Sequence, residues 1–100
     1  MDILQLKERG HRLLDEYIDL GVKYRMHGTR KQEMEHAYRK LGMKLDSNPH
    51  FSSMKDSQQV MRAVLKLQRM IKMRHKKIRY RGLDKNVIAP NVKELQKGVH

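Results

Sequence analysis

The residues best suited to chemistry in this sequence are the bases between Lys55 and Arg81. This stretch holds ten lysines and arginines and one acid, Asp56, so it carries +9 of a net charge of +12. Lysine and arginine bind phosphates and carboxylates, and arginine can make two parallel hydrogen bonds to either group. The densest run extends from Arg74 to Arg81, with Tyr80 between two arginines. The pattern favours contact with a polyanion.

Three interpretations of this charge are open: contact with nucleic-acid phosphates, pairing with acids elsewhere in the chain for solubility, and binding of an acidic protein. Like charges four residues apart on a helix repel, so an ordinary solvated face mixes both signs. Phosphate contact is therefore favoured, with the arginines as the strongest candidates. Tyr80 could stack on a base, but packing on a neighbouring element is the favoured role. The candidate nucleic-acid-binding residues are Arg62, Lys66, Arg69, Lys72, Arg74, Lys76, Lys77, Arg79, Tyr80 and Arg81.

The remaining polar residues do not form a catalytic or metal-binding pattern. None of the six histidines lies four residues from another, so no helical metal site is expected, and His50 is predicted to order a turn beside Pro49. The chain has no cysteine, which excludes disulfides and thiolate zinc sites. No phosphate-binding loop, dinucleotide fingerprint or nucleophile motif is present. We therefore expect no enzymatic activity, no metal and no cofactor.

The carboxylates are expected to form ion pairs rather than to act in acid–base catalysis, which requires a pocket and perturbed surroundings. The acids concerned are Asp15, Glu16, Asp19, Glu33 and Glu35, and the expected partners are Arg12, Lys23 and Arg39.

Three helices are predicted to position these side chains. The first spans residues 2–26 and is capped by Asp2. The second begins at a capping box formed by Thr29 and Gln32 and ends before Pro49. The third begins at Ser52 or Ser53 and runs to about Arg81.

Apolar residues follow the helical period in each segment, which predicts an all-α fold. In the third helix, successive apolar residues are separated by four, three, four and seven residues. Two glycines lie on or beside the apolar stripe of the first helix: Gly10 is predicted to allow close packing, and the role of Gly21 is left open. The apolar positions of the second and third helices are Met34, Ala37, Tyr38, Leu41, Leu45, Val60, Val64, Leu67, Ile71 and Ile78.

The predicted architecture is a three-helix bundle with two long helices over residues 1–82 and an irregular C-terminal tail over residues 83–100. A second capping box from Asn91 to Glu94 predicts a short fourth helix in the tail, and residues 86–89 carry a weak strand signal. Because a monomer would leave one long helix partly uncovered, a homodimer is favoured.

A resemblance adds to this description. The run from Ala37 to Met43, followed by the run from His50 to Met54 and an apolar helix, resembles the helical part of small uncharacterised phage and prophage proteins. In some of them a similar segment follows a cysteine zinc ribbon. With no cysteine here, neither the ribbon nor its metal is implied. The resemblance implies a phage or mobile-element accessory protein.

These features predict a non-catalytic nucleic-acid-binding accessory protein that contacts phosphates of DNA or RNA through the basic third helix. The alternative is a protein-interaction module that inhibits or redirects a host enzyme or a nucleic-acid-processing complex. A cytoplasmic location is expected, since the chain has no cysteine, no basic leader before an apolar stretch and no membrane-spanning run.

Overall fold

The computed structural model describes residues 2–83, and three α-helices and one short 3₁₀ helix form this part of the chain. Helix α1 spans Ile3–Lys23, α2 spans Arg30–Leu41, and α3 spans Ser57–Arg81, while the 3₁₀ helix spans His50–Ser53. Over residues 2–83 the chain forms no strand, which confirms the all-helical prediction. The predicted fourth helix, and the strand signal of residues 86–89, lie outside the described residues.

The helix ends follow from local hydrogen bonds that the sequence predicts. The amide of Gln5 donates to Asp2 Oδ1 at 2.8 Å, and the Asp2 amide donates to Gln5 Oε1 at 3.2 Å. Thr29 and Gln32 form the same reciprocal pair at the start of α2. Helix α3 ends at Gly82, whose positive φ of 67° suits a residue without a Cβ.

The beginning of α3 differs from the prediction. Ser52 and Ser53 belong to the 3₁₀ helix, and their hydroxyls donate backwards, to the Pro49 carbonyl oxygen and to Asn48 Oδ1. The chain is then extended at Met54, and Asp56 caps α3 by accepting a hydrogen bond from the amide of Gln58 at 3.0 Å. Helix α1 also ends three residues earlier than predicted, at Lys23, because Arg25 adopts a φ of 52°.

The core lies mainly between α1 and α3, and α2 covers one side of it. Helix α3 buries five predicted apolar positions, and α2 buries two while its other predicted positions are partly covered. The fully covered core side chains are Leu14 and Ile18 of α1, Ala37 of α2, Phe51 of the 3₁₀ helix, and Val60 and Leu67 of α3.

The 3₁₀ helix packs on α1, and this contact explains Gly10. A Cβ at Gly10 would lie 2.8–3.0 Å from the Phe51 ring, which confirms the predicted close packing. His50 orders the turn as predicted, since its Nδ1 lies 2.8 Å from the Tyr38 hydroxyl. The 3₁₀ helix in the connection between α2 and α3 is therefore held by Phe51 against α1 and by His50 against α2.

Candidate nucleic-acid interface

Nine of the ten bases between Lys55 and Arg81 are exposed. Lys55 lies just before α3, and the other exposed bases lie on it. The bases on α3 are on the side of the helix opposite Val60, Leu67 and Ile71, or they flank that side. We define the basic face as the exposed bases that centre on this opposite side. Its members are Arg62, Lys66, Arg69, Lys72 and Lys76. At 1.5 Å per residue the basic face extends roughly 21 Å along the helix axis.

Arg79, Lys77 and Arg81 are also exposed and extend the charge towards the C-terminal end of α3. The Tyr80 ring stands among them and is 92% exposed, so it packs on no helix within residues 2–83. Packing on a neighbouring element was the favoured prediction for Tyr80, and no element of this part of the chain covers it. Here the ring is accessible to a ligand.

Arg74 does not belong to this exposed surface, although the sequence placed it among the strongest candidates. Its side chain is buried, with its guanidinium Cζ 3.6 Å from the centroid of the Tyr17 ring. Its Nη1 donates to the carbonyl oxygen of Tyr17 at 2.8 Å, and its Nη2 lies 2.5 Å from Glu33 Oε2. The residue holds the three helices together and is not available to phosphates.

The spacing of α3 contained a signal for the position of Arg74. The apolar series reaches Ile71 and then steps seven residues to Ile78, and Arg74 fills the missing position three residues after Ile71. Residues at such steps share one helix face. An arginine in line with the apolar series is expected to be buried when an acid can reach it.

That acid is Glu33, which is fully buried near the start of α2. Neither oxygen of its carboxylate has a hydrogen bond of good geometry within residues 2–83, so the ion pair with Arg74 is its main compensation. Gly21 leaves room for the pair, since a Cβ there would collide with the Glu33 carboxylate and the Arg74 guanidinium. The role of Gly21, open at the sequence level, is therefore to admit a buried ion pair.

The acids of α1 do not neutralise the basic face. Asp15 and Asp19 both pair with Arg30 of α2, at 3.7 Å and 2.6 Å, and not with the expected Arg12, Lys23 or Arg39. Between residues 2 and 83 no exposed base of the 55–81 stretch forms an ion pair. The positive charge of α3 is therefore uncompensated within the described domain.

A cleft of about 660 Å³ opens beside the C-terminal half of α3. Its walls are α3, α2 and the segment that follows α1. Apolar groups line it together with bases from two helices, and no acid is among the lining residues described. The residues that line the cleft are Tyr17, Met26, His27, His36, Lys40, Met70, Met73, Arg74, Lys76, Lys77, Tyr80 and Arg81.

Two histidines and a tyrosine form one wall of the cleft. The rings of His27 and His36 lie 4.3 Å apart, and the ring of His36 is nearly parallel to that of Tyr17. Burial lowers the pKa of His36, and the positive charges of His27 and Arg74 lower it further. Burial likewise raises the pKa of Tyr17. In this wall, burial therefore favours the uncharged forms of His36 and Tyr17.

Lys40 is a functional candidate that the sequence analysis missed. It lies near the end of α2, distant in the chain from the basic stretch, yet it is exposed and shares the cleft with Lys77. Sequence position alone carries no signal for this approach, because it depends on how α2 crosses α3.

Within residues 2–83, no group of three or more histidines or acids is arranged to hold a metal ion, and no helix there has the length and apolar character needed to cross a membrane. Comparison of the chain with protein-family models, with curated proteins and with solved structures found no match. The function of the protein is therefore inferred from its own geometry.

Proposed function

We propose that this protein is a non-catalytic nucleic-acid-binding accessory protein that contacts phosphates through the basic face of α3. The observation that supports the proposal most strongly is the separation of charge. Asp15 and Asp19 of α1 pair with Arg30 of α2, and within residues 2–83 no exposed base of the 55–81 stretch forms an ion pair. Pairing within the molecule, the main alternative explanation for these bases, therefore receives no support.

The dimensions of the basic face suit an extended polyanion. A single nucleic-acid strand places one phosphate about every 3.4 Å along a B-form duplex, so the face spans roughly six phosphates. Lysine and arginine contacts of this kind provide affinity with little sequence discrimination. Their strength falls steeply as salt rises, because binding releases counterions.

The biological setting belongs to the same proposal. The resemblance of residues 37–71 to helical phage and prophage proteins favours an accessory role in a phage or another mobile element. A homodimer would place two basic faces on one ligand and strengthen binding. Sedimentation of the purified protein measures the oligomeric state directly.

The test compares two variants that lose the same charge. The first replaces Arg62, Lys66 and Arg69 of the basic face with glutamine. The matched control replaces Arg12, Lys23 and Arg39, which are exposed on α1 and α2. Affinity for fluorescein-labelled single-stranded and duplex oligonucleotides is measured by anisotropy from about 50 to 200 mM salt.

We expect the basic-face variant to lose at least tenfold in affinity and to show a shallower salt dependence, by about one unit of slope per base removed. The control should stay within a few-fold of the parent protein. Absence of binding at about 50 mM salt, with the parent protein folded by circular dichroism, contradicts the proposal. Equal losses in the two variants contradict it too, because they indicate a response to net charge alone.

Binding of one stoichiometric protein partner after nuclease treatment would instead favour the protein-interaction module. Such a result, together with no affinity for oligonucleotides, would replace the proposed function.

A further inference from the structure

We infer that the cleft between α2 and the C-terminal half of α3 holds an unpaired nucleobase, so that the protein prefers single-stranded to duplex nucleic acid. The inference rests on the proposed function and names the form of nucleic acid that it concerns. It arises from the side chains that line the cleft, of which only Lys76 belongs to the basic face.

The first step is the exposure of apolar groups at the mouth of the cleft. Met73 is 70% exposed and Tyr80 is 92% exposed. They lie seven residues apart and so share one helix face, about two turns from each other. An aromatic ring and a thioether in this position offer a flat, polarisable surface to a ligand.

The second step is the charge around that surface. Lys76 and Lys77 lie four and three residues before Tyr80, which places both bases next to it on the preceding turn of α3. Arg81 and Lys40 add charge from the end of α3 and from α2. No acid is among the lining residues described, so the cleft fits a group that is apolar at its centre and anionic at its edges.

A nucleotide within a single strand has this chemistry. Its base has two apolar faces, and its phosphates lie on either side along the backbone. Stacking on an aromatic side chain does not depend on which base is present, since every base has a π face. In a duplex both faces of a base are covered by its neighbours, so the same contact would require the base to be extruded.

The floor of the cleft also fits this ligand. The buried Arg74 keeps its guanidinium on the Tyr17 ring, and burial lowers the pKa of His36. A base entering the cleft would therefore meet the His36 ring and methionine sulfur rather than a dense positive charge, and the phosphates would meet the lysines at the rim.

The experiment uses the full chain and two probes: a fluorescein-labelled oligothymidylate and a duplex of the same length. Tyr80→Ala and Met73→Ala remove the apolar surface of the cleft. Met61→Ala is the matched control, because Met61 is an exposed methionine of α3 that does not line the cleft. All three side chains are exposed, and thermal unfolding verifies that each variant is folded.

We expect Tyr80→Ala to weaken binding of the single strand about tenfold and Met73→Ala to weaken it by a smaller factor. Duplex affinity and the effect of Met61→Ala should stay within about twofold of the parent values. Tyr80→Phe should keep single-strand affinity, because the ring remains. A 2-aminopurine placed in the oligonucleotide should change its fluorescence on binding, and Tyr80→Ala should abolish this change.

Three results would overturn the inference. Equal losses for single strand and duplex, or no loss for either, would show that the cleft takes no base. Dissociation of a dimer by Tyr80→Ala would assign the cleft to a second copy of the chain. In the third result, polyglutamate competes with the single strand and loses the same factor of affinity in Tyr80→Ala. That result would assign the cleft to an acidic protein.

These results are distinguishable from failure of the proposed function. If the basic-face variant loses affinity while the Tyr80 and Met73 variants do not, the protein binds nucleic acid through phosphates and the cleft has no part in it. If the parent protein binds neither probe, both proposals fail together.

Discussion

Arg69 and Arg74 lie on the same helix, and their surroundings are opposite. Five residues correspond to about 140° around the helix axis, which is enough to place one arginine in solvent and the other between three helices. Arg69 keeps its hydration and its charge for a ligand. Arg74 is removed from water, and its charge is compensated by Glu33 and by the carbonyl oxygen of Tyr17. Helix face, more than residue type or local charge density, determines what an arginine does here.

The largest expected effect follows from removing the buried arginine. Arg74→Met should lower the free energy of unfolding by about 3–5 kcal/mol, because it leaves the buried carboxylate of Glu33 without a counterion. Arg69→Met should change it by less than about 0.5 kcal/mol, since Arg69 is exposed. Urea unfolding at pH 7 measures both. Similar values for the two variants would remove the contrast between these arginines.

Replacing both members of the buried pair sharpens the same contrast. Glu33→Met combined with Arg74→Met should be clearly more stable than Arg74→Met alone, because no uncompensated charge remains in the core. A double-mutant cycle on the unfolding free energies gives the coupling between the two residues. Additive losses would mean that the two side chains act independently, contrary to their contact in the structure.

Gly21→Ala should lower the free energy of unfolding by about 1–3 kcal/mol. A Cβ at this position would meet both members of the buried ion pair, and crowding of a packed core costs about this much. Helix propensity acts in the opposite direction, by about 1 kcal/mol in favour of alanine. In a background that combines Glu33→Ala with Arg74→Ala, both side chains that the Cβ would meet are shortened, so the same substitution should become neutral or stabilising. A loss of equal size in both backgrounds would contradict the assigned role of Gly21.

The smallest effect concerns pH, and it comes from His36 of α2, which lines the cleft beside α3. The pKa of His36 is lowered in the folded protein by burial and by the charges of His27, Arg74 and Lys40, while Glu33 opposes the shift. The unfolded chain therefore binds a proton more readily. Stability should be fully present above about pH 6.5 and should decrease as the pH falls below that value.

His36→Asn should make this decrease shallower in urea unfolding between pH 7 and pH 5. His11, whose pKa burial also lowers, should maintain part of the slope. An unchanged pH profile in the variant would show that His36 has no role in it.

Much of the fold follows from the sequence because it depends on local rules. The caps at Asp2 and Thr29 and the stop at Gly82 involve residues close together in the chain, and the buried series of α3 repeats with the helical period. The start of α3 was predicted incorrectly because three residues near it, Ser52, Ser53 and Asp56, can cap a helix. Which of them does so depends on the 3₁₀ helix that packs Phe51 on Gly10.

The site was less accessible to sequence reasoning, because its decisive contacts join residues far apart in the chain. The Glu33–Arg74 pair spans two helices, and neither residue has a local pattern that identifies its partner. Lys40 reaches the cleft through the crossing of α2 and α3. The exposed bases of the basic face were recognisable because they share one helix face, and they occupy it as predicted.

The buried ion pair affects the register in which α3 packs on the other helices. Val60, Val64, Leu67, Ile71 and Ile78 are similar in shape and recur at nearly regular steps, so an aliphatic interface alone would tolerate sliding of the helix by one heptad. Such a slip would bring Leu67 or Arg81 opposite Glu33 and would leave Arg74 against apolar neighbours. We expect this charged contact to disfavour such a slip, as lone polar residues fix the register of coiled coils. By holding α3 in one register, Glu33 and Arg74 would also determine which bases reach solvent, although both side chains are themselves buried.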